Sequence, residues 1–319
     1  MSLAFVFPGQ GSQSVGMMNA LAAEFPIVKQ TFAEASDALG YDLWEVVVNG
    51  PEDKLNQTQI TQPAMLAAGV SVWRVWKAQQ GVAPSLTAGH SLGEYSALVC
   101  ADALAFPDAI KLVADRARFM QEAVPIGQGA MAAVLGLEDD AVRQLCAQAA
   151  QGEVLEAVNF NSPGQVVIAG SAGAIQRALE LAKSVGAKRA VALPVSVPSH
   201  CKLMHPAAQR MAERLKQTQI ATPKIPVIHN VHVKTESDPA AIREMLARQI
   251  ESPVRWVETV QKIAGDGATR IVECGPGKVL AGLSKRITDK AQTRAVYDPA
   301  SLRDSLQWVT TSQEKIECN

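Results

Sequence analysis

Cysteine is scarce and scattered: Cys100, Cys146, Cys201, Cys274 and Cys318 are the only five in 319 residues, and none forms a C-x-x-C pair. Such a set excludes a disulfide framework and a thiolate zinc site, and it points to a reducing compartment. An excess of either charge is also missing, since 30 basic against 31 acidic residues leave a formal net charge of −1. No global field draws the chain to nucleic acid or to an anionic membrane, so any charged docking surface must be local. No apolar run approaches the roughly 20 residues of a membrane span. The apolar start Leu3–Phe7 has no basic flank and ends at Pro8-Gly9, so it does not read as a signal peptide. The expectation is a cytoplasmic protein that binds neither membrane nor nucleic acid and holds no metal.

What is present is a large core and one loud motif. Hydrophobic residues make up 48% and charged residues 19%, which excludes wholesale disorder and allows one large domain or two. Gly89-His90-Ser91-Leu92-Gly93 sets a serine between two glycines as G-x-S-x-G. In a strand-to-helix turn this pattern exposes the serine Oγ and aims the next backbone N–H at the same place. Chance produces it in about one chain in ten of this length, so context has to decide. Leu86-Thr87-Ala88 before it reads as a strand and Leu92–Val99 after it as a helix. A plain structural turn is the alternative.

Along the chain, Leu3–Phe7 reads as a buried strand closed by a glycine-rich turn. Helices are expected near 17–39, 63–80 and 107–123. From Gly129 the order becomes strand 130–137, helix 138–150, strand 154–160, strand 165–169, helix 172–185 and strand 189–195. That β-α-β-β-α-β order is the ferredoxin-like split arrangement, here inserted into a larger unit. Further helices are expected at 203–217, 239–250 and 253–264, with strands at 225–233 and 270–273. A short helix follows Gly275-Pro276-Gly277, and 310–319 reads as a polar tail.

A serine hydroxyl needs a base, and five histidines compete. His90 adjoins the serine, so a sharp turn points it elsewhere, as a packing residue. His229 and His232 flank a strand-like run and read as scaffold. His200, in the proline-stiffened Val197-Pro198-Ser199-His200-Cys201, and His205 stay open as bases. No acidic residue announces itself as a third member. The glycines at 9, 11 and 16 miss the dinucleotide fingerprint, and Met17 stands where a phosphate loop needs lysine. That turn reads better as a rigid donor of a backbone N–H, or as an ordinary tight turn.

Six blocks in order carry a resemblance: FVFPGQGSQ (5–13), GHSLGEYSAL (89–98), RARFMQEAVP (116–125), NSPGQVVIAG (161–170), PVSVPSHC (194–201) and ECGPGKVLAGL (273–283). The chain resembles the malonyl-CoA:acyl carrier protein transacylase family of bacterial fatty acid synthesis from Phe5 to about Trp308. The resemblance implies an α/β-hydrolase-like subdomain at 1–125 and 198–308, a ferredoxin-like small subdomain at 126–197, and a tail at 309–319. It implies Ser91 as nucleophile, His200 as general base and the main-chain carbonyl of Gln249 as the group orienting that histidine. It further implies the N–H groups of Gln10 and Leu92 as oxyanion hole and Arg116 as the grip on the malonyl carboxylate. Arg116 and Arg118 lie two apart on a helix, so one at most enters the site.

The expected reaction is ping-pong transfer from malonyl-CoA to the phosphopantetheine thiol of acyl carrier protein. It needs no cofactor beyond the coenzyme A thioester, and a monomer is expected. Lys183, Lys188, Arg189, Lys285 and Arg286 are candidate contacts for the acidic carrier. Alternatives are a serine thioesterase or hydrolase, a transferase serving polyketide synthesis, and a non-catalytic carrier-docking module. The choice of malonyl over methylmalonyl rests on pocket volume near Val197 and Ser199.

Overall fold

The structure, a computed structural model, describes residues 2–195 and 197–311. Strand β1 (Ser2–Phe7) leads into α1 (Asn19–Glu24), α2 (Ile27–Leu39), α3 (Leu43–Asn49), α4 (Glu52–Leu55) and α5 (Thr58–Ala78). Then come β2 (Leu86–Gly89), α6 (Gly93–Cys100) and α7 (Phe106–Ala123). The middle of the chain forms β3 (Gly129–Leu135), α8 (Asp139–Ala150), β4 (Leu155–Ser162), β5 (Gln165–Ser171), α9 (Ala172–Ala182) and β6 (Arg189–Ala192). A 3-10 turn (Lys202–Met204) precedes α10 (His205–Lys216), β7 (Val227–Ile228), α11 (Pro239–Gln249) and α12 (Trp256–Gly265). The last elements are β8 (Ala268–Cys274), α13 (Val279–Ile287), β9 (Gln292–Val296) and α14 (Pro299–Thr310).

Two sheets result. One is parallel, in the order β7-β2-β1-β8-β9, and the other antiparallel, in the order β4-β5-β3-β6. The continuous apolar run of β1 suits a parallel sheet covered on both faces. Alternate residues go to opposite sides: Leu3, Phe5 and Phe7 join the core around α5 and α7, while Ala4 and Val6 join the core around α12 and α13. Helix α5 lies deep in the first core, and Phe5 meets Trp73 and Trp76 edge-on at 5.5 and 5.1 Å. The antiparallel sheet carries α8 and α9 over its own core, as the β-α-β-β-α-β order predicts.

Several boundaries differ from expectation. Helix α5 starts at Thr58, with Pro63 inside it, because burial of nearly its whole length outweighs the proline's missing N–H. Only Val227–Ile228 of the expected strand 225–233 pairs in the sheet. The chain then turns, His229 donating from its N–H to the Lys234 carbonyl and Val233 adopting φ 57°. Helix α14, capped by Asp298 and Ser301, runs through Thr310, so a tail cannot begin at 309. Residues 312–319, with Cys318, lie outside the described residues, as does Ser196. The remaining four cysteines are free and buried. Among the described residues, no helix is long and apolar enough to cross a membrane.

Candidate active site

Ser91 stands where β2 ends and α6 begins. Added Cβ atoms at Gly89 and Gly93 would fall 1.8 Å from the Gly93 carbonyl carbon and 2.0 Å from the Phe7 oxygen, so the turn closes only with glycine at both places. The turn sets Ser91 at φ 51°, and His200 sits at φ 69°. Left-handed backbone at a non-glycine residue costs on the order of 1–3 kcal/mol, a strain that accumulates at functional sites.

His200 Nε2 lies 2.7 Å from Ser91 Oγ, and its Nδ1 lies 2.8 Å from the Gln249 main-chain oxygen. A carbonyl only accepts, so Nδ1 carries the proton and Nε2 is left to accept from the serine hydroxyl. Burial, and next the Arg116 charge, push the His200 pKa down to about 3. The imidazole is therefore neutral and basic in form at pH 7.

Arg116 is the buried arginine of α7, 1% exposed, whereas Arg118 faces solvent and pairs with Asp115. Its Nη2 donates to Ser91 Oγ at 3.1 Å and to Gln249 Oε1 at 3.0 Å, and Nη1 donates to Gln62 Oε1 at 2.7 Å. Its Nε has no partner among the described residues. This cation is thus buried against neutral oxygens, with a donor still open. Burial lowers its pKa.

The cavity at this point has a volume of about 110 Å³ and draws its walls from both sheets' units: Gln10, Ser91 and Arg116 on one side, Met131, Asn159 and Leu193 on the other. Gln10 and Leu92 border it, and neither backbone N–H donates to another described residue. A larger cleft of about 1010 Å³ between α2, α5 and α7 contains no serine, cysteine or histidine.

The other histidines are accounted for. His90 Nε2 donates to Asn161 Oδ1 at 2.8 Å and its ring lies 5.5 Å from Trp256, a satisfied packing residue that also borders the cavity. His205 pairs with Glu251 and His232 with Glu236, away from the serine. His229 is buried against Glu94. Sequence reasoning missed Glu94, Asn230 and Gln62, and Thr58, which borders the cavity and donates from Oγ1 to Gln10 Oε1 at 2.8 Å. The one available signal was a carboxylate at 94 inside the apolar stretch 92–99. Arg286, one of the candidate docking cations, is exposed and donates to Gln165 Oε1 and the Pro163 carbonyl, tying the two units together.

The sequence pattern of the acyl transferase domain family matches residues 4–304. The malonyl CoA-acyl carrier protein transacylase of Salmonella typhimurium is 56% identical over 303 residues, covering 95% of this chain and 98% of its own. A solved acyl carrier protein S-malonyltransferase from Vibrio cholerae superposes with a TM-score of 0.93 at 57% identity, covering 96% of this chain and all of that one. A malonyl-transacylase solved in complex with a type II polyketide acyl carrier protein superposes with a TM-score of 0.95 at 55% identity, covering 96% and 99%. On the match across nearly its whole length, the chain belongs to the acyl transferase domain family, among the malonyl CoA-acyl carrier protein transacylases.

Proposed function

We propose that this enzyme moves a malonyl group from malonyl-CoA to the phosphopantetheine thiol of acyl carrier protein through a malonyl ester of Ser91. What carries the reading is one constellation: Ser91 Oγ 2.7 Å from the free nitrogen of a tautomer-locked His200, and 3.1 Å from a buried arginine. Residues 1–125 and 198–308 form the catalytic unit and 126–197 the smaller one.

His200 Nε2 takes the serine proton as Oγ attacks the thioester carbonyl. The N–H groups of Gln10 and Leu92 hold the oxyanion. Collapse breaks the C–S bond, and the imidazolium returns its proton to the departing coenzyme A thiolate. The carrier thiol then loses its proton to His200, attacks the malonyl-serine ester, and leaves with the acyl group as the proton returns to Oγ. Thiolates leave readily, so a carbonyl suffices to orient the histidine where amide cleavage employs a carboxylate.

Arg116 receives the malonyl carboxylate, which displaces the serine oxygen from Nη2 and finds Nε open. An acetyl group leaves that buried cation unpaired. A cavity of about 110 Å³, about four waters at ~30 Å³ each, has room for a short acyl unit.

Intact-mass measurement after mixing with malonyl-CoA tests this. The expected result is one stable malonyl adduct, lost in Ser91→Ala; an adduct that persists in the variant refutes the assignment. Continuous release of coenzyme A without an adduct would make the enzyme a hydrolase. Service to a polyketide carrier, as in the complexed relative, rather than to a fatty acid carrier is decided by comparing carriers as acceptors.

A further inference from the structure

The mechanism above leaves one carboxylate unused. Glu94, in the first turn of α6, is fully buried. Three donors converge on it: His229 Nδ1 at 2.6 Å, the Asn230 backbone N–H at 3.0 Å and Gln249 Nε2 at 2.8 Å. Two of those arms end at the reacting groups.

Asn230 brackets the strained serine turn from both sides. Its Oδ1 accepts from the Ser91 N–H at 2.7 Å, and its Nδ2 donates to the Gly89 carbonyl at 2.7 Å. Gln249 reaches everything else. Its Nε2 also donates to the Ser91 carbonyl at 2.9 Å, its Oε1 accepts from Arg116, and its backbone carbonyl orients His200. An amide has two orientations that differ only in which end donates. Here an anion at one end and a cation at the other select a single orientation. The turn of the chain after β7, which ends that strand early, is what delivers His229 and Asn230 to Glu94.

We propose that Glu94 is the positioning residue of this site: one buried carboxylate that fixes the serine turn through Asn230, and the imidazole and arginine through Gln249. The inference rests on the roles given above to Ser91, His200 and Arg116.

The test is single-turnover acylation by malonyl-CoA and by acetyl-CoA, followed by intact mass alongside thermal unfolding, on wild type, Glu94→Ala and Glu94→Gln. Folded Glu94→Ala is expected to acylate about 10²-fold more slowly with malonyl-CoA, the scale of loss from small misplacement of reacting groups. Its preference for malonyl over acetyl should narrow as Arg116 loses its support. Glu94→Gln should recover much of the loss. Its oxygen accepts from Asn230 and Gln249, and its amide meets the other tautomer of His229, whose Nε2 has no partner to lose.

A folded Glu94→Ala that acylates at the wild-type rate overturns the proposal. So does an equal loss for both acyl groups with the preference intact, since that is the mark of a merely structural defect. If Glu94→Ala does not fold, Gln249→Ala takes its place, since it cuts the link from Glu94 to Arg116 and keeps the backbone carbonyl that orients His200. It is expected to slow malonyl acylation and to narrow the preference for malonyl over acetyl, and an undiminished rate or an intact preference overturns the proposal. Failure of the wild type itself to label would overturn the underlying reading, a result the wild-type sample reports separately.

Discussion

At the residue scale, the chemistry turns on two positive charges that disfavour one another. Arg116 is buried and permanent, so the neighbouring His200 is held neutral, its pKa down to about 3 by burial first and by the arginine second. A base with a depressed pKa keeps its lone pair as pH falls, so the acidic limb of malonyl acylation should lie well below 6.5. Arg116→Ala should do two things. It should cost malonyl transfer roughly 1.5–3 kcal/mol, about 10- to 150-fold, while sparing acetyl. It should also move the acidic limb upward, because one cause of the depression is gone. A pH–rate profile of both proteins checks this, and coincident limbs would sever the link between the two residues. Ser91 was legible in its G-x-S-x-G turn, whereas Arg116, one of two arginines two apart on a helix, was singled out only by the family resemblance. His200 competed with His205 until family resemblance decided between them. Glu94, Gln62 and Asn230 were not legible, for they act through partners more than fifty residues away and resemble ordinary polar residues on helices and turns.

Among the elements, β1, β2 and the β3–β6 unit could be read ahead because their short apolar runs are bounded by glycine, proline and asparagine turns. Helices α3 and α4, strand β9 and helix α14 could not, since they are short or end in local caps rather than in a long pattern. The junction of β8 and α13 offers a stability test. Glu273, next to last in β8, is fully buried and accepts from the N–H groups of Leu280 and Ala281 at 3.1 and 2.7 Å, at the start of α13. Burial outweighs those bonds and raises its pKa from 4.5 to about 7. The folded state then holds this proton more tightly than the unfolded chain. Stability from this group is complete below pH 4.5 and is lost as pH rises to 7, by up to about 3 kcal/mol. Urea unfolding at pH 5 and pH 8 should show that the wild type loses more than Glu273→Gln over this interval. Equal losses would place the titration elsewhere.

For the whole molecule, the cavity exists only because two differently built units meet. Backbone bonds between Val254 and the β4 residues Val158 and Phe160, together with Arg286, pin the smaller unit over the serine. Arg286 is exposed as well as tied to that seam, so we propose it with Lys183, Lys188, Arg189 and Lys285 as contacts for an acidic carrier. Charge reversal at these positions should raise the KM for the carrier by roughly 1.5- to 5-fold per charge, an effect that fades with added salt. A wild-type KM at low salt would clear them of that role. The means by which His200 is oriented has a consequence for how such an enzyme can change. The orienting dipole belongs to the peptide group at position 249, and peptide groups are shared by every amino acid. No codon change there can delete the imidazole's anchor as one would delete an aspartate's carboxylate. A change of side chain at 249 would free Glu94 and Arg116 from their shared partner yet leave that anchor in place, and only a shift of the α11 terminus itself would release the base.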